Sequence, residues 1–287
     1  MNLHRIKINV GAEKPFAVLH SGDHHLCLCD ERNDERKQKL AANRANAFTG
    51  GHPECLAAQA EEFFAYAADN ALPIMYTGDF IDFTSYANFD YARKLFSSAD
   101  AFMCAGNHEY SRYVGEAWED EEYKAVSFEE VLASYPNNNI WYDECVINGV
   151  RFVAIDNNYY YILPEQFERF RAACSDGMPV VLLVHTPLYS KDIFGQVTDG
   201  TDRPAYPPYL FGCPEEFLRN LDDHRYRQQK PDEITLEFVR FCNETPNLKA
   251  VFAGHHHKVI LSKLDSGIPQ IVSGGGANGE AVLCEIE

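Results

Sequence analysis

Five short apolar runs in this chain each end in side chains that ligate metals, and that recurrence constrains the fold more than any other feature. Phe16 to His20 leads into Asp23-His24-His25, and Pro73 to Thr77 into Gly78-Asp79-Phe80-Ile81-Asp82. Ala101 to Ala105 precedes Gly106-Asn107-His108-Glu109. Pro179 to Val184 precedes His185, and Leu248 to Ala253 precedes Gly254-His255-His256-His257. The runs are strand-sized, and in α/β sheets ligands bind outside the carboxyl ends of the strands. Each segment alone has an ordinary explanation as a turn, a helix cap or a surface tract. Seven of the chain's 11 histidines fall in these segments, however, and the set is hard to assemble by chance.

Between the runs lie helical patterns at about Pro53–Asn70, Ser85–Ser97, Pro164–Cys174 and Pro231–Glu244. Trp141 to Asp156 alternates around Asn148-Gly149, a hairpin signal. Short strands follow at about Val259–Leu264, Pro269–Ser273 and Ala281–Ile286. Alternating strands and helices, then a run of strands, predict a layered α/β fold with mixed sheets. No Pro/Gly/Ser-rich linker divides residues 1–287, which are read as one domain. Two stretches, 110–130 and 189–230, lack regular pattern and are read as irregular insertions, candidates for a lid over the site. The acidic run Glu116 to Glu122 in the first is read as a solvated helix face.

Charge narrows the partners. With 43 Asp plus Glu against 25 Lys plus Arg, the formal net charge is −18. That balance disfavours extended nucleic acid and anionic lipid, both of which select basic surfaces. No run approaches the ~20 apolar residues of a spanning helix, and the start of the chain lacks a signal-peptide core. Nine cysteines without a CxxC pair read as reduced structural thiols in a cytoplasmic protein. Cys27 and Cys29 are read as strand neighbours on one face. Gly274, Gly276 and Gly279 match GxGxxG, but only eight residues follow, too few for a dinucleotide-binding βαβ unit.

In order and spacing, the five segments resemble the calcineurin-like metallophosphoesterase superfamily, whose pattern is DxH, GDxxD, GNHE or GNHD, a lone His and GHxH. The resemblance implies a four-layer α/β/β/α sandwich with two mixed β-sheets and a dinuclear metal site at the strand C-terminal ends. It assigns one ion to Asp23, His25, Asp79 and His257. The other falls to Asp79, Asn107, His185 and His255, with Asp79 bridging. Mixed nitrogen and oxygen ligation suits Mn, Fe or Zn without choosing between them. The implied reaction is in-line attack of a metal-bridging hydroxide on a small phosphodiester or phosphomonoester. His108 would protonate the leaving group, with Asp82 orienting it. Asn107 and His108 would also meet substrate.

Departures bear on substrate class. The Ser/Thr protein phosphatases of the superfamily carry Arg directly after the second Asp of GDxxD, where this chain has Phe83. The purple acid phosphatases place a metal-binding Tyr where this chain has Asp82. Gly22 stands where the family often has Ser. His24 and His20 are read as packing residues, and His256 as a candidate substrate contact. Tyr189, Arg203 and Tyr206 lie in the long irregular segment as further candidates. Two other readings are a catalytically inactive scaffold binding a protein partner and a nuclease of the same superfamily. The filled ligand set favours an enzyme over the scaffold. Two dications would outweigh the two Asp ligands, so a locally cationic site in an acidic body suits a small phosphoester.

Overall fold

The computed structural model describes residues 1–50, 52, 54–115, 120–201, 204 and 206–287. Two sheets form its centre. In chain order the strands are β1 (Asn2–Ile8), β2 (Phe16–Ser21), β3 (Ile74–Tyr76), β4 (Ala101–Met103), β5 (Tyr142–Ile147), β6 (Val150–Ile155), β7 (Val180–Leu183), β8 (Leu248–Ala253), β9 (Ile260–Lys263), β10 (Pro269–Val272) and β11 (Glu280–Ile286). The helices are α1 (Glu35–Thr49), α2 (Glu54–Asp69), α3 (Tyr86–Phe96), α4 (Glu121–Leu132), α5 (Pro164–Ala173), α6 (Lys191–Val197), α7 (Asp223–Gln229) and α8 (Glu233–Glu244).

The first sheet has the order β1-β11-β2-β3-β4 and the second β5-β6-β7-β8-β10-β9. Both are mixed: β11 runs antiparallel to β2, and β5 and β9 run antiparallel to their neighbours. Three buried apolar clusters account for four layers. One fills the space between the sheets, where Val18, Met75 and Val282 meet Phe152, Val181 and Phe252. A second seats α1, α2 and α3 on the first sheet through Ala45, Phe63 and Phe96. The third seats α5, α6 and α8 on the second sheet through Phe170, Ile193 and Phe238. The four-layer α/β/β/α sandwich expected from the sequence is the observed fold.

Local chemistry sets most boundaries. Helix α1 starts at Asp34, whose carboxylate accepts from Lys37 N–H, and stops at Gly50 in the left-handed region. Ser85, Asp120, Ser190, Asp222 and Asp232 cap α3, α4, α6, α7 and α8 in the same way. On α2, Leu56, Ala60, Phe63, Phe64 and Ala67 form the buried stripe of a 3.6-residue repeat. Asn148 and Gly149 both take positive φ, so the β5–β6 hairpin closes in register from Ile147 opposite Val150.

Several sequence readings need correction. The stretch 110–130 is not irregular throughout, because Asp120 caps α4 and Glu121 and Glu122 form its first turn. Glu116 to Glu119 of the acidic run lie outside the described residues. The stretch 189–230 is not irregular throughout either: it contains α6 and α7, and Leu210, Phe211, Cys213 and Leu218 join the core between the second sheet and its helices. Cys27 and Cys29 lie in a loop after β2, not in a strand. All nine cysteines are free thiols. Strand β1, with Ile6 and Ile8 alternating between polar residues, and helix α1 are additions to the expected elements. Among the described residues, no helix is long and apolar enough to cross a membrane.

Candidate metal centre

The five segments converge at one edge of the two sheets, beyond the carboxyl ends of the strands. Asp23 and His25 follow β2, Asp79 follows β3 and Asn107 follows β4. His185 follows β7, and His255 and His257 follow β8. Five of these seven residues, Asp23, His25, Asp79, His255 and His257, sit at φ between 49° and 73°. Side chains other than glycine rarely adopt that region, and holding each one there costs about 1–3 kcal/mol. In 23–25 and in 255–257 the positive φ alternates, skipping the middle histidine. Asp23 and His25 therefore face the site, while His24 between them is buried among Phe63, Tyr76 and Phe80.

Two donor groups of the expected ligands result, beside a third group of His25, Asp82 and His108. Asp23, His25 and His257 form one, and Asp79, His185 and His255 the other, each with its ligand atoms within 4.8 Å of one another. His25 Nε2 lies 3.0 Å from His257 Nε2 and 3.6 Å from Asp79 Oδ2. His185 Nε2 lies 3.0 Å from His255 Nδ1, 3.1 Å from Asn107 Oδ1 and 3.1 Å from Asp79 Oδ2. Asp79 Oδ2 thus stands between the groups, where a bridging ligand belongs.

The donor chemistry fits metal ions. His185 Nδ1–H donates to Thr77 O (2.7 Å) and His25 Nδ1–H donates to Asp82 Oδ1 (2.9 Å), which leaves both Nε2 atoms with lone pairs facing the site. Burial pushes His257 down to about 3 and His255 well below its ordinary value, so both remain neutral ligands. Burial also lifts Asp23 to about 8, the mark of a carboxylate enclosed without enough positive charge. For His185, burial opposes the charged ring, but Asp79 outweighs it and raises the ring to about 9. A pair of dications would supply the missing charge and displace those protons.

Beside the donors stands His108, whose Nδ1 lies 2.9 Å from Asp82 O and 3.1 Å from Asp82 Oδ1. Burial disfavours its charge, yet Asp79 and Asp82 prevail and lift it to about 10. Its side chain is 18% exposed, so this charged ring can reach a bound molecule.

The backbone behind the donors is braced by Glu109. Its buried carboxylate accepts from the N–H groups of Asp79, Phe80, Ile81 and Gly106 and from Tyr135 Oη–H. Gly106 is obligatory, because a Cβ there would lie 2.2 Å from Asp79 Oδ1.

Other residues at the site had no assignment in the sequence. Arg44, on α1, places Nε 2.6 Å from Asp82 Oδ2 and Nη2 2.8 Å from Oδ1. Phe48, one turn further, stacks on His25 with ring centroids 4.7 Å apart. Asn157 Oδ1 accepts from the N–H groups of His185 and Thr186. Tyr159 Oη–H donates to Asn107 O, and Tyr160 Oη lies 3.2 Å from His255 Nε2. The polar residues after β6 were a sixth strand-end signal, masked by the hairpin reading. Nothing in the sequence of α1 marks Arg44.

The remaining candidates divide. His20 is buried and stacks on Phe252, and His24 is packed as expected. His256 lies beside His255 with a buried Nε2 that has no hydrogen-bond partner. Tyr189 is not turned to the site but packs with Phe194 and Phe217. Tyr206 is 79% exposed, and Arg203 lies outside the described residues. Phe83 is fully buried, so the position after GDxxD offers no phosphate contact.

No curated protein matches the sequence. A dimetal phosphatase from Danio rerio is similar at 12% identity over 92% of this chain and 89% of its own, with a TM-score of 0.49. A 5'-nucleotidase from Candida albicans shows 15% identity over 91% of this chain and 46% of its own, with a TM-score of 0.44. A phosphopantetheinyl hydrolase from Mycobacterium tuberculosis shows 11% identity over 93% and 89%, with a TM-score of 0.43. The sequence profile of the calcineurin-like phosphoesterases matches residues 16–259, a span that holds all five segments. With that match, this chain belongs to the calcineurin-like phosphoesterase family and is a phosphoric ester hydrolase.

Proposed function

We propose that the enzyme hydrolyses a small phosphodiester or phosphomonoester by in-line displacement at phosphorus. One observation carries the reading: Asp79 Oδ2 lies between two donor groups, 3.6 Å from His25 Nε2 and 3.1 Å from His185 Nε2, and His108 stands beside them with its Nδ1 held by Asp82. Asp23, His25, Asp79 and His257 would hold one ion, and Asp79, Asn107, His185 and His255 the other. When bound, the two dications supply an activated hydroxide and neutralise charge on the phosphoryl oxygens.

The chain's own residues do the rest. His185 and His25 keep their lone pairs on Nε2 because Thr77 O and Asp82 accept from Nδ1. His108 donates its Nε2 proton to the departing oxygen, while Asp82 and the Asp82 carbonyl hold Nδ1. Asn107 and His108 flank the reacting group, and His256 adds a contact from the β8 end. In this reading residues 1–287 act as one unit, because donors come from both sheets. Nine free thiols support a cytoplasmic location.

The test combines metal analysis with two chromogenic esters. Purified protein loaded with Mn²⁺ is expected to retain about two ions per chain after desalting and to hydrolyse p-nitrophenyl phosphate or bis-p-nitrophenyl phosphate. The preferred ester separates monoesterase from diesterase. Protein that holds no metal and turns over neither ester would refute the proposal and favour the inactive scaffold.

A further inference from the structure

Asp82 carries more than one task. Its Oδ1 accepts from His25 Nδ1, a proposed metal ligand, at 2.9 Å and stands 3.1 Å from His108 Nδ1, the proposed general acid. The residue is fully buried, so its carboxylate cannot be held in place by bulk water. A single oxygen serves two rings only if the carboxylate plane is fixed.

Arg44 supplies that constraint. Its Nε–H donates to Oδ2 at 2.6 Å and Nη2–H donates to Oδ1 at 2.8 Å, a two-point grip that sets the plane of the carboxylate. The guanidinium is itself held. Its carbon lies 5.0 Å from the centroid of Phe48, whose ring stacks on His25. Helix α1 is anchored to the strand-end loop at its other end, where Lys37 Nζ–H donates to the carbonyl oxygens of Thr84 and Arg112. The residues at 44 and 48 lie one turn apart, so the same helix face presents both to the site.

We infer that Arg44 is a positioning residue for the reaction: by gripping Asp82 it places one carboxylate oxygen where it orients the metal ligand His25 and the general acid His108 together. Arg44 acts on substrate only through Asp82. The inference rests on the phosphoesterase reading, and its test separates the two.

Three measurements decide it. Mn²⁺ titration of the chelator-treated apoprotein by calorimetry reads the His25 arm without any turnover. Arg44→Gln is expected to weaken one of the two Mn²⁺ sites about tenfold and leave the other unchanged. Turnover of phenyl phosphate against p-nitrophenyl phosphate reads the His108 arm, because the poorer leaving group depends more on the proton. Arg44→Gln is expected to reduce kcat about 10–100-fold for phenyl phosphate and markedly less for p-nitrophenyl phosphate. In an Asp82→Asn background, Arg44→Gln should change either readout less than about twofold, since the residue through which it acts is already altered.

Arg44→Lys keeps the charge but not the fork and is expected to stay near the Gln variant in both readouts. It carries the test if the Gln variant fails to fold. Unchanged Mn²⁺ affinity and leaving-group dependence in the Gln variant would overturn the inference. So would full rescue by Lys, or losses that multiply in the Asp82→Asn background. If His108→Ala leaves phenyl phosphate turnover intact, the general-acid reading fails by itself, and the Mn²⁺ titration and double variant still judge Arg44.

Discussion

At the scale of single residues, function depends on which atom of each side chain is committed elsewhere. His108 is the clearest case, because Asp82 takes its Nδ1 and leaves Nε2 to face the site. His108→Ala is expected to lower kcat about 10²–10⁴-fold on a poorly leaving alkyl phosphate with Mn²⁺ content unchanged, checked by steady-state kinetics beside elemental analysis. Glu109 makes a different prediction. Four backbone N–H groups and Tyr135 donate to it, and a Gln would turn one acceptor into a donor facing them. Glu109→Gln should destabilise the fold by about 3 kcal/mol, read by chemical denaturation, and should also loosen Asp79. The sequence placed Glu109 in a motif but did not show this role, since its partners lie up to 30 residues away.

At the scale of elements, the strands end where the chemistry begins. The continuous buried strands β3 and β4 end at Tyr76 and Met103, and the residues that follow leave the sheet for the turns that carry Asp79 and Asn107. Helix α4 shows how a weakly patterned segment is nonetheless fixed. Lys124 Nζ pairs with buried Asp156 Oδ2 at 3.0 Å among the rings of Tyr110, Tyr159 and Tyr161, tying the helix to the end of β6. Lys124→Met leaves that carboxylate without its cation and should cost about 3 kcal/mol of stability. In a double-mutant cycle, Asp156→Asn should recover part of the loss, as measured by denaturant midpoints. Such a pair cannot be read from the run of residues 110–130, whose one apparent feature was acidity.

At the scale of the whole molecule, the site joins the two sheets. Donors arise from β2, β3 and β4 in one and from β7 and β8 in the other, so bound ions would clip the layers together. Chelator should lower Tm and Mn²⁺ restore it, with about 2.7 kcal/mol expected from one site at a hundredfold excess over Kd. The same interior makes the fold sensitive to acid. Burial holds His20 and His24 at about 3, against 6.5 when exposed. Below pH 6.5 the unfolded chain therefore binds protons that the folded one refuses, so their contribution is complete above 6.5 and is lost as pH falls. Each ring then removes about 1.4 kcal/mol per pH unit. His20→Gln should reduce the slope of stability between pH 6.5 and 5 by that amount, measured in chelator so that metal release does not contribute.

The sequence by itself determined the order of the strands that end in metal-capable residues and a layered α/β class with mixed sheets; the four layers and the ligand roles entered only with the family resemblance. Strand order and class rest on local properties: an apolar run of strand length, a glycine where backbones crowd, and a polar residue at the turn. Only the tertiary structure decided which atoms meet. Arg44 reaches Asp82 across 38 residues, and His257 meets His25 across 232. It also decided that 189–230 joins the core and that Tyr189 faces Phe194. Residue order carries no record of such contacts, because they are set by how layers pack and by which buried groups need a partner once water is gone.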